Sequence, residues 1–182
     1  MLIRLLRFNT YLLLGAILWI AGVGLGCKSG KDGGKDKKAY SKKDEASLRL
    51  HLEVNADGSD RNEPVAIGRE QPFRVNVEKK AFLTEFQIEK ASVVDTIGGF
   101  SISVQFNKEG TWLLEQYTTA SKGKRIAIAA EFGQMRWLAA PMITQRLGEG
   151  LLVFTPDATR EECERIISGL NRVAELVSKG KK

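Results

Sequence analysis

The chain has 182 residues, 43% of them hydrophobic, which is enough for one globular domain with an appendage. Of its net charge of +6, all but +1 lies ahead of that domain: Arg4 and Arg7 are uncompensated, residues 28–45 hold seven lysines against four acids, and residues 46–182 carry 19 basic and 18 acidic side chains. A nucleic-acid footprint needs a basic patch on the folded part, so this distribution argues against nucleic acid as a partner. Two cysteines exclude a disulfide framework.

Behind Arg4 and Arg7, residues 8–26 run for 19 positions without a charge and end in Gly22-Val23-Gly24-Leu25-Gly26 before Cys27. This resembles a bacterial lipoprotein signal, with residues 1–26 removed as a signal peptide and Cys27 becoming the fatty-acylated (palmitate-type) N-terminus. Gly24 departs from the leucine that the pattern usually places there. Two other fates fit the same residues: an uncleaved anchor, since 19 uncharged positions can just span a bilayer, and an ordinary secretory signal. Residues 27–45 have no aliphatic side chain larger than that of Ala39, cannot bury enough surface to offset ordering entropy, and are expected to form a flexible Lys/Gly linker. Gly30-Lys31 and Gly34-Lys35 lack the following Ser or Thr of a phosphate loop.

The folded domain is expected over residues 46–178, with 179–182 a frayed tail. Leu48, Leu50, Leu52 and Val54 alternate with Arg49, His51 and Glu53, an amphipathic strand whose polar face should leave His51 solvated. Residues 55–60 are turn-formers, Phe73, Val75 and Val77 mark a short strand, and residues 82–95 a third, leading through Gly98-Gly99 to the stretch that organises the rest. There Phe100, Ile102, Val104 and Phe106 alternate with polar residues, and Asn107 can cap a helix whose stripe is Trp112, Leu113, Gln116, Tyr117 and Ala120. Gly123 offers a left-handed stop between Lys122 and Lys124. Residues 125–132 form a second strand, completing a βαβ-type unit with Trp112 buried on the sheet.

Gly133-Gln134 can turn a hairpin into residues 137–140, with Pro141 ending that strand or marking a sheet edge. Residues 151–154 form the last strand. Thr155-Pro156 offers one helix start, and the Thr159/Glu162 capping box offers another a turn later. The closing helix buries Ile166, Ile167, Leu170, Val173 and Val177 together with Cys163, an inert thiol. The fold expected is α+β, a single mostly antiparallel sheet with two helices packed on one face.

No nucleophile motif is present, and the lone His51 with Cys163 is too few ligands for zinc. Glu85, Glu131 or Asp157 could serve a hydrolase only as a pair at defined separation with a shifted pKa. No catalytic residue, metal or cofactor is therefore assigned, and the chain is read as a non-enzyme. Partner binding is placed on the 133–150 edge, at Gln134, Trp137, Pro141 and Gln145, where an extended peptide could add.

Five short pieces stand in order along residues 81–176, beginning with Phe82-Leu83-Thr84-Glu85 followed by Ile88 and Ala91. Next are Val104-Gln105-Phe106-Asn107 with Gly110, and the run from Gly123-Lys124-Arg125 to Ile126-Ala127-Ile128. Ala140-Pro141-Met142-Ile143 and Phe154-Thr155-Pro156 complete the set. With these pieces, residues 81–176 resemble the head subdomain of the first periplasmic domain of SecD, a subunit of the bacterial protein-export machinery. The resemblance implies an α+β sheet with helices on one side, and a binding module that meets exported polypeptides or Sec translocon components. SecD continues into membrane helices bearing the acidic residue of proton coupling. This sequence stops after the head, so proton-driven activity is not implied, and residues 46–80 stand where the first half of that domain would be. The expectation is a membrane-tethered lipoprotein of the cell envelope, facing periplasm or exterior. An envelope hydrolase and a purely structural lipoprotein are the alternatives.

Overall fold

The structure, a computed structural model, describes residues 45–180; Cys27, the leader and most of the linker lie outside the described residues. Eight strands and two helices are formed there: β1 Ser47–Leu52, β2 Asn62–Ile67, β3 Phe73–Glu78, β4 Ile88–Thr96, β5 Gly99–Phe106, α1 Lys108–Ala120, β6 Ile126–Phe132, β7 Gln134–Ala139, β8 Leu151–Phe154 and α2 Arg160–Gly180. A 3-10 turn, Glu85–Gln87, precedes β4, so the stretch read as one strand over 82–95 is a bridge at Leu83, a turn and then β4.

The fold is α+β, but the single sheet is divided into three small antiparallel ones, ordered β1-β6-β7, β2-β3 and β4-β5-β8. The unit at 100–128 is accordingly no βαβ in one sheet, because β5 and β6 belong to different sheets. With 13 residues at about 1.5 Å each, α1 is long enough to carry the chain roughly 20 Å across to the second sheet.

One core fills the space between the inner faces of the two three-stranded sheets and α2. Leu48, Leu50, Ile126 and Ile128 meet Ile102, Val104 and Phe106 there, closed by Cys163, Ile166 and Leu170 of α2. A second, smaller core lies on the other side of β6, where Val65, Ile67, Val75 and Val77 of the β2–β3 hairpin cover Ala127, Ala140 and Trp137. This hairpin corrects the reading of His51, which is 6% exposed rather than solvated. Its Nδ1 lies 2.8 Å from the Glu78 carbonyl, so that nitrogen is the donor, and its ring meets Trp137 edge-on at 5.1 Å. β2 went unassigned in the sequence because Pro64 interrupts it; an outer strand tolerates a proline whose missing N–H faces away from its partner.

α1 starts as expected, with Asn107 Oδ1 accepting from the Gly110 N–H at 3.0 Å, and Gly123 after it is left-handed at φ 86°. Its phase differs. Gly110, Leu114 and Thr118 face the core, whereas Trp112 is 61% exposed and Gln116 and Ala120 lie outside. Gly110 sets this face, since it alone lets the helix approach Gln87 and Phe106 closely. α2 begins at the second of the two candidate starts: Thr159 Oγ1 accepts from the Glu162 N–H (3.2 Å) and Glu162 Oε2 from the Thr159 N–H (2.9 Å). Thr155-Pro156 stays in the preceding loop.

Candidate functional site

A strand at the edge of a sheet carries unpaired backbone donors and acceptors, and proteins ordinarily cover them. On three of the four outer strands of the two larger sheets an outward backbone group is paired from outside the sheet. On β4, the Asn171 side chain imitates a partner strand, its Oδ1 accepting from the Ala91 N–H (2.7 Å) and its Nδ2 donating to the Ala91 carbonyl (2.9 Å). On β1, Leu50 N–H donates to Leu83 O and Phe82 N–H to Leu50 O, both at 2.9 Å. On β7, the Asp157 N–H donates to Leu138 O at 2.7 Å.

β8 is the exception among the described residues. Phe106 N–H donates to Gly150 O at 2.9 Å, and the register pairs Leu152 with Val104 and Phe154 with Ile102. In an antiparallel ladder hydrogen-bonded pairs alternate, so positions 150, 152 and 154 face β5, while Leu151 and Val153 turn their N–H and C=O outward. Beyond Pro141 the chain keeps pairing with the start of β6, through Ile126 N–H to Pro141 O (3.0 Å) and Ile143 N–H to Lys124 O (2.8 Å). Met142 lies between these two bonds, opposite Arg125, so its own N–H and C=O point away from β6.

These two open edges border one cleft of about 810 Å³. Buried Thr118, Ile126, Ile143 and Leu152 form its floor. Met142 on one wall (51% exposed) and Leu151 and Val153 on the other (39% and 48%) present apolar side chains to it. The loop at its end is fixed from below: Leu147 N–H donates to Thr118 Oγ1 at 3.0 Å, and Thr118 donates in turn to Leu114 O at 2.7 Å. Gly150 enters β8 at φ 69°, and a Cβ there would lie 2.0 Å from Thr111 Oγ1, so only glycine lets β8 begin this close to α1. Arg146 pairs with Glu115 at 2.5 Å, which neutralises one rim charge.

Of the residues picked from sequence, Pro141 and Gln145 line this cleft. Gln134 does not; it borders a separate hollow of about 280 Å³ with Arg136, Glu162 and Arg165. Trp137 is half-buried against the second core. Met142, Leu151 and Val153 were missed. Their only signal was that Leu151-Leu152-Val153-Phe154 is apolar on both faces, which by itself reads as a strand buried on both sides. Of the carboxylates considered, Glu85 and Glu131 share a cleft with Glu45 and exposed Phe86, and Asp157 lies elsewhere. No group of three or more metal-ligating side chains occurs among the described residues.

Glu162 is the most perturbed acid. The Thr159 N–H, and then Arg69, whose Nη2 lies 2.7 Å from its Oε1, hold its carboxyl down to about 2. Arg136 reaches the same oxygen at 3.1 Å and also donates to Asp157 O. Burial pushes the Cys163 thiol up to about 11, so it stays protonated and unreactive at neutral pH.

Three small antiparallel sheets and two helices, with a cleft between open strand edges, define an α+β fold. The chain belongs to the SecDF P1 head subdomain family, whose profile matches residues 41–174. The match begins well ahead of the motifs at 81–176, so residues 46–80 belong to the family's head. Among solved structures the chain is similar to SecDF described as a membrane component that enhances protein export, at 21% identity and a TM-score of 0.52, covering 70% of this chain and 62% of that one. It is also similar to SecDF in a super-membrane-facing form, at 22% identity and 0.50, covering 69% of this chain and 18% of that one. At these identities the likeness is one of fold. A comparison with curated proteins gives no match. No helix among the described residues is long and apolar enough to cross a membrane.

Proposed function

We propose that residues 46–178 act as an accessory module that binds polypeptides or translocon components during protein export. A lipidated Cys27 holds the module at the cell envelope, facing periplasm or exterior, and residues 27–45 serve as its tether. The module positions its partner and carries out no reaction. The observation that carries this reading is the cleft between β8 and Met142 in a domain of the SecDF head family: it offers backbone hydrogen-bonding groups and apolar side chains, which suit a polypeptide. Membrane attachment adds to it, because a tethered module meets its partner at high effective concentration and modest affinity suffices. Pro141 and Gln145 are the contact residues chosen from sequence that border the cleft; Gln134 and Trp137 stand apart from it.

Two measurements test the proposal. Cys27→Ser should abolish incorporation of labelled fatty acid and leave an unprocessed precursor; unchanged labelling removes the anchor from the account. A photo-crosslinker at Gln145 should trap envelope proteins or export intermediates in cells far more often than one at Gln134. Equal yields at both positions, or none, count against the cleft as the binding surface.

A further inference from the structure

The outer strands treat their edges unequally. β4 is covered by a side chain whose two polar atoms copy a strand's donor and acceptor, β1 by a strand-like bridge at Leu83, and β7 by the chain entering α2. β8 and Met142 keep outward N–H and C=O groups, and both face the same cleft. We propose that an extended peptide segment enters this cleft and adds as a β-strand along β8, with the Met142 edge on its other side. It would bridge the sheet β4-β5-β8 to the sheet β1-β6-β7. The inference rests on the polypeptide-binding reading above and states how the peptide is held.

The chemistry specifies the occupant. A single side chain can pair one residue of an edge, as Asn171 does at Ala91, but a row of outward N–H and C=O groups is matched by an extended chain; a helix has already used its own N–H and C=O groups internally. β8 has four residues, so the added segment is on the order of four residues long. Leu151, Val153 and Met142 give it apolar neighbours, and successive side chains of a strand alternate between faces, so apolar residues at every second position are favoured. Charge matches too. Arg146 is already paired with Glu115, which leaves Glu149 as the other charge lining the cleft, so an uncharged segment fits better than an acidic one. A locally unfolded, apolar stretch of a polypeptide meets all of these conditions, and a helical surface does not.

The test uses the full purified chain in detergent micelles and a fluorescent hexapeptide of alternating valine and serine. Its control is the same peptide methylated on alternate backbone nitrogens, which keeps the side chains and removes the donors. The expected result is binding of the first peptide and a loss of about tenfold or more for the methylated one, the size of one or two net hydrogen bonds. Slowed hydrogen exchange at the Met142, Leu151 and Val153 amides should accompany binding. Val153→Pro should abolish binding without unfolding the domain, because the N–H it removes points outward and an edge strand accepts proline there. Equal binding of both peptides overturns strand addition and leaves the polypeptide-binding reading standing. Binding of neither overturns both. If the chain instead forms a dimer that Val153→Pro abolishes, the edge belongs to a second copy and the proposal is wrong.

Discussion

Gly110, in the first turn of α1, has room for a hydrogen and none for a methyl group. A Cβ there would lie 2.9 Å from both the Gln87 and Phe106 Cβ atoms and 3.2 Å from the Gln87 carbonyl oxygen. In an open helix, glycine to alanine gains about 1 kcal/mol of propensity. Here the neighbours are close to backbone and cannot swing aside, and overpacking costs typically 1–3 kcal/mol. Gly110→Ala should therefore lower stability by up to about 2 kcal/mol, read as a reduced denaturant midpoint at unchanged slope. Gln116→Ala, on the exposed face of the same helix, should be nearly neutral. A stabilised Gly110→Ala would mean that the helix does not approach this closely. The exposure of Trp112 has the same cause: once Gly110 fixes the inward face, a residue two positions on points away from it.

At the scale of elements, local pattern carried most of what could be read from the sequence, and pairing carried what could not. The alternation in β1 and β5, the Asn107 cap, the Thr159/Glu162 capping box and the proline after β7 each depend on neighbours within a few residues, and each was legible. Which strands share a sheet depends on partners far along the chain, so three sheets could not be told from one. The burial of His51 depends on a hairpin whose first strand holds Pro64. The candidate site divides the same way: Pro141 announced an edge, while its counterpart on β8 exists only because the fold brings residues 151–153 opposite Met142. Asn171 shows how decisive one long-range contact can be, since it sits 80 residues from Ala91 and pairs both of that residue's outward groups on the β4 edge. Asn171→Leu keeps the helix and removes both hydrogen bonds, stranding a part-buried N–H and C=O. The expected cost is about 2–4 kcal/mol, with faster hydrogen exchange at Ala91 as its local signature. Exchange at Ala91 that stays slow would show that this edge is protected by something other than Asn171.

Across the whole domain, the β2–β3 hairpin is joined to the rest by packing on Ala127, Ala140 and Trp137, by hydrogen bonds from His51 to Glu78 O and from Val54 N–H to Asn76 O, and by one ionic node. Arg69, in the loop between β2 and β3, and Arg136, on β7, both grip Glu162 in the first turn of α2, so one carboxylate links three parts of the fold. Its folded pKa is depressed from 4.5 to about 2. A depressed carboxylate contributes stability that is fully present above its unfolded value and is lost as pH falls through the folded one. The window is thus from about pH 4.5 down to about pH 2. Both arginines and the carboxylate are partly exposed, so solvent screening keeps the contribution small, about 1 kcal/mol. Glu162→Gln retains the shape and much of the hydrogen bonding without the charge. In urea unfolding at pH 7 the wild type should exceed the variant by about that amount, and the difference should close between pH 4.5 and pH 2. High salt at pH 7 should narrow it as well, since exposed charges are screened. A gap that persists unchanged at pH 2 would assign the junction of hairpin and helix to apolar packing alone, with Glu162 serving only as the helix cap.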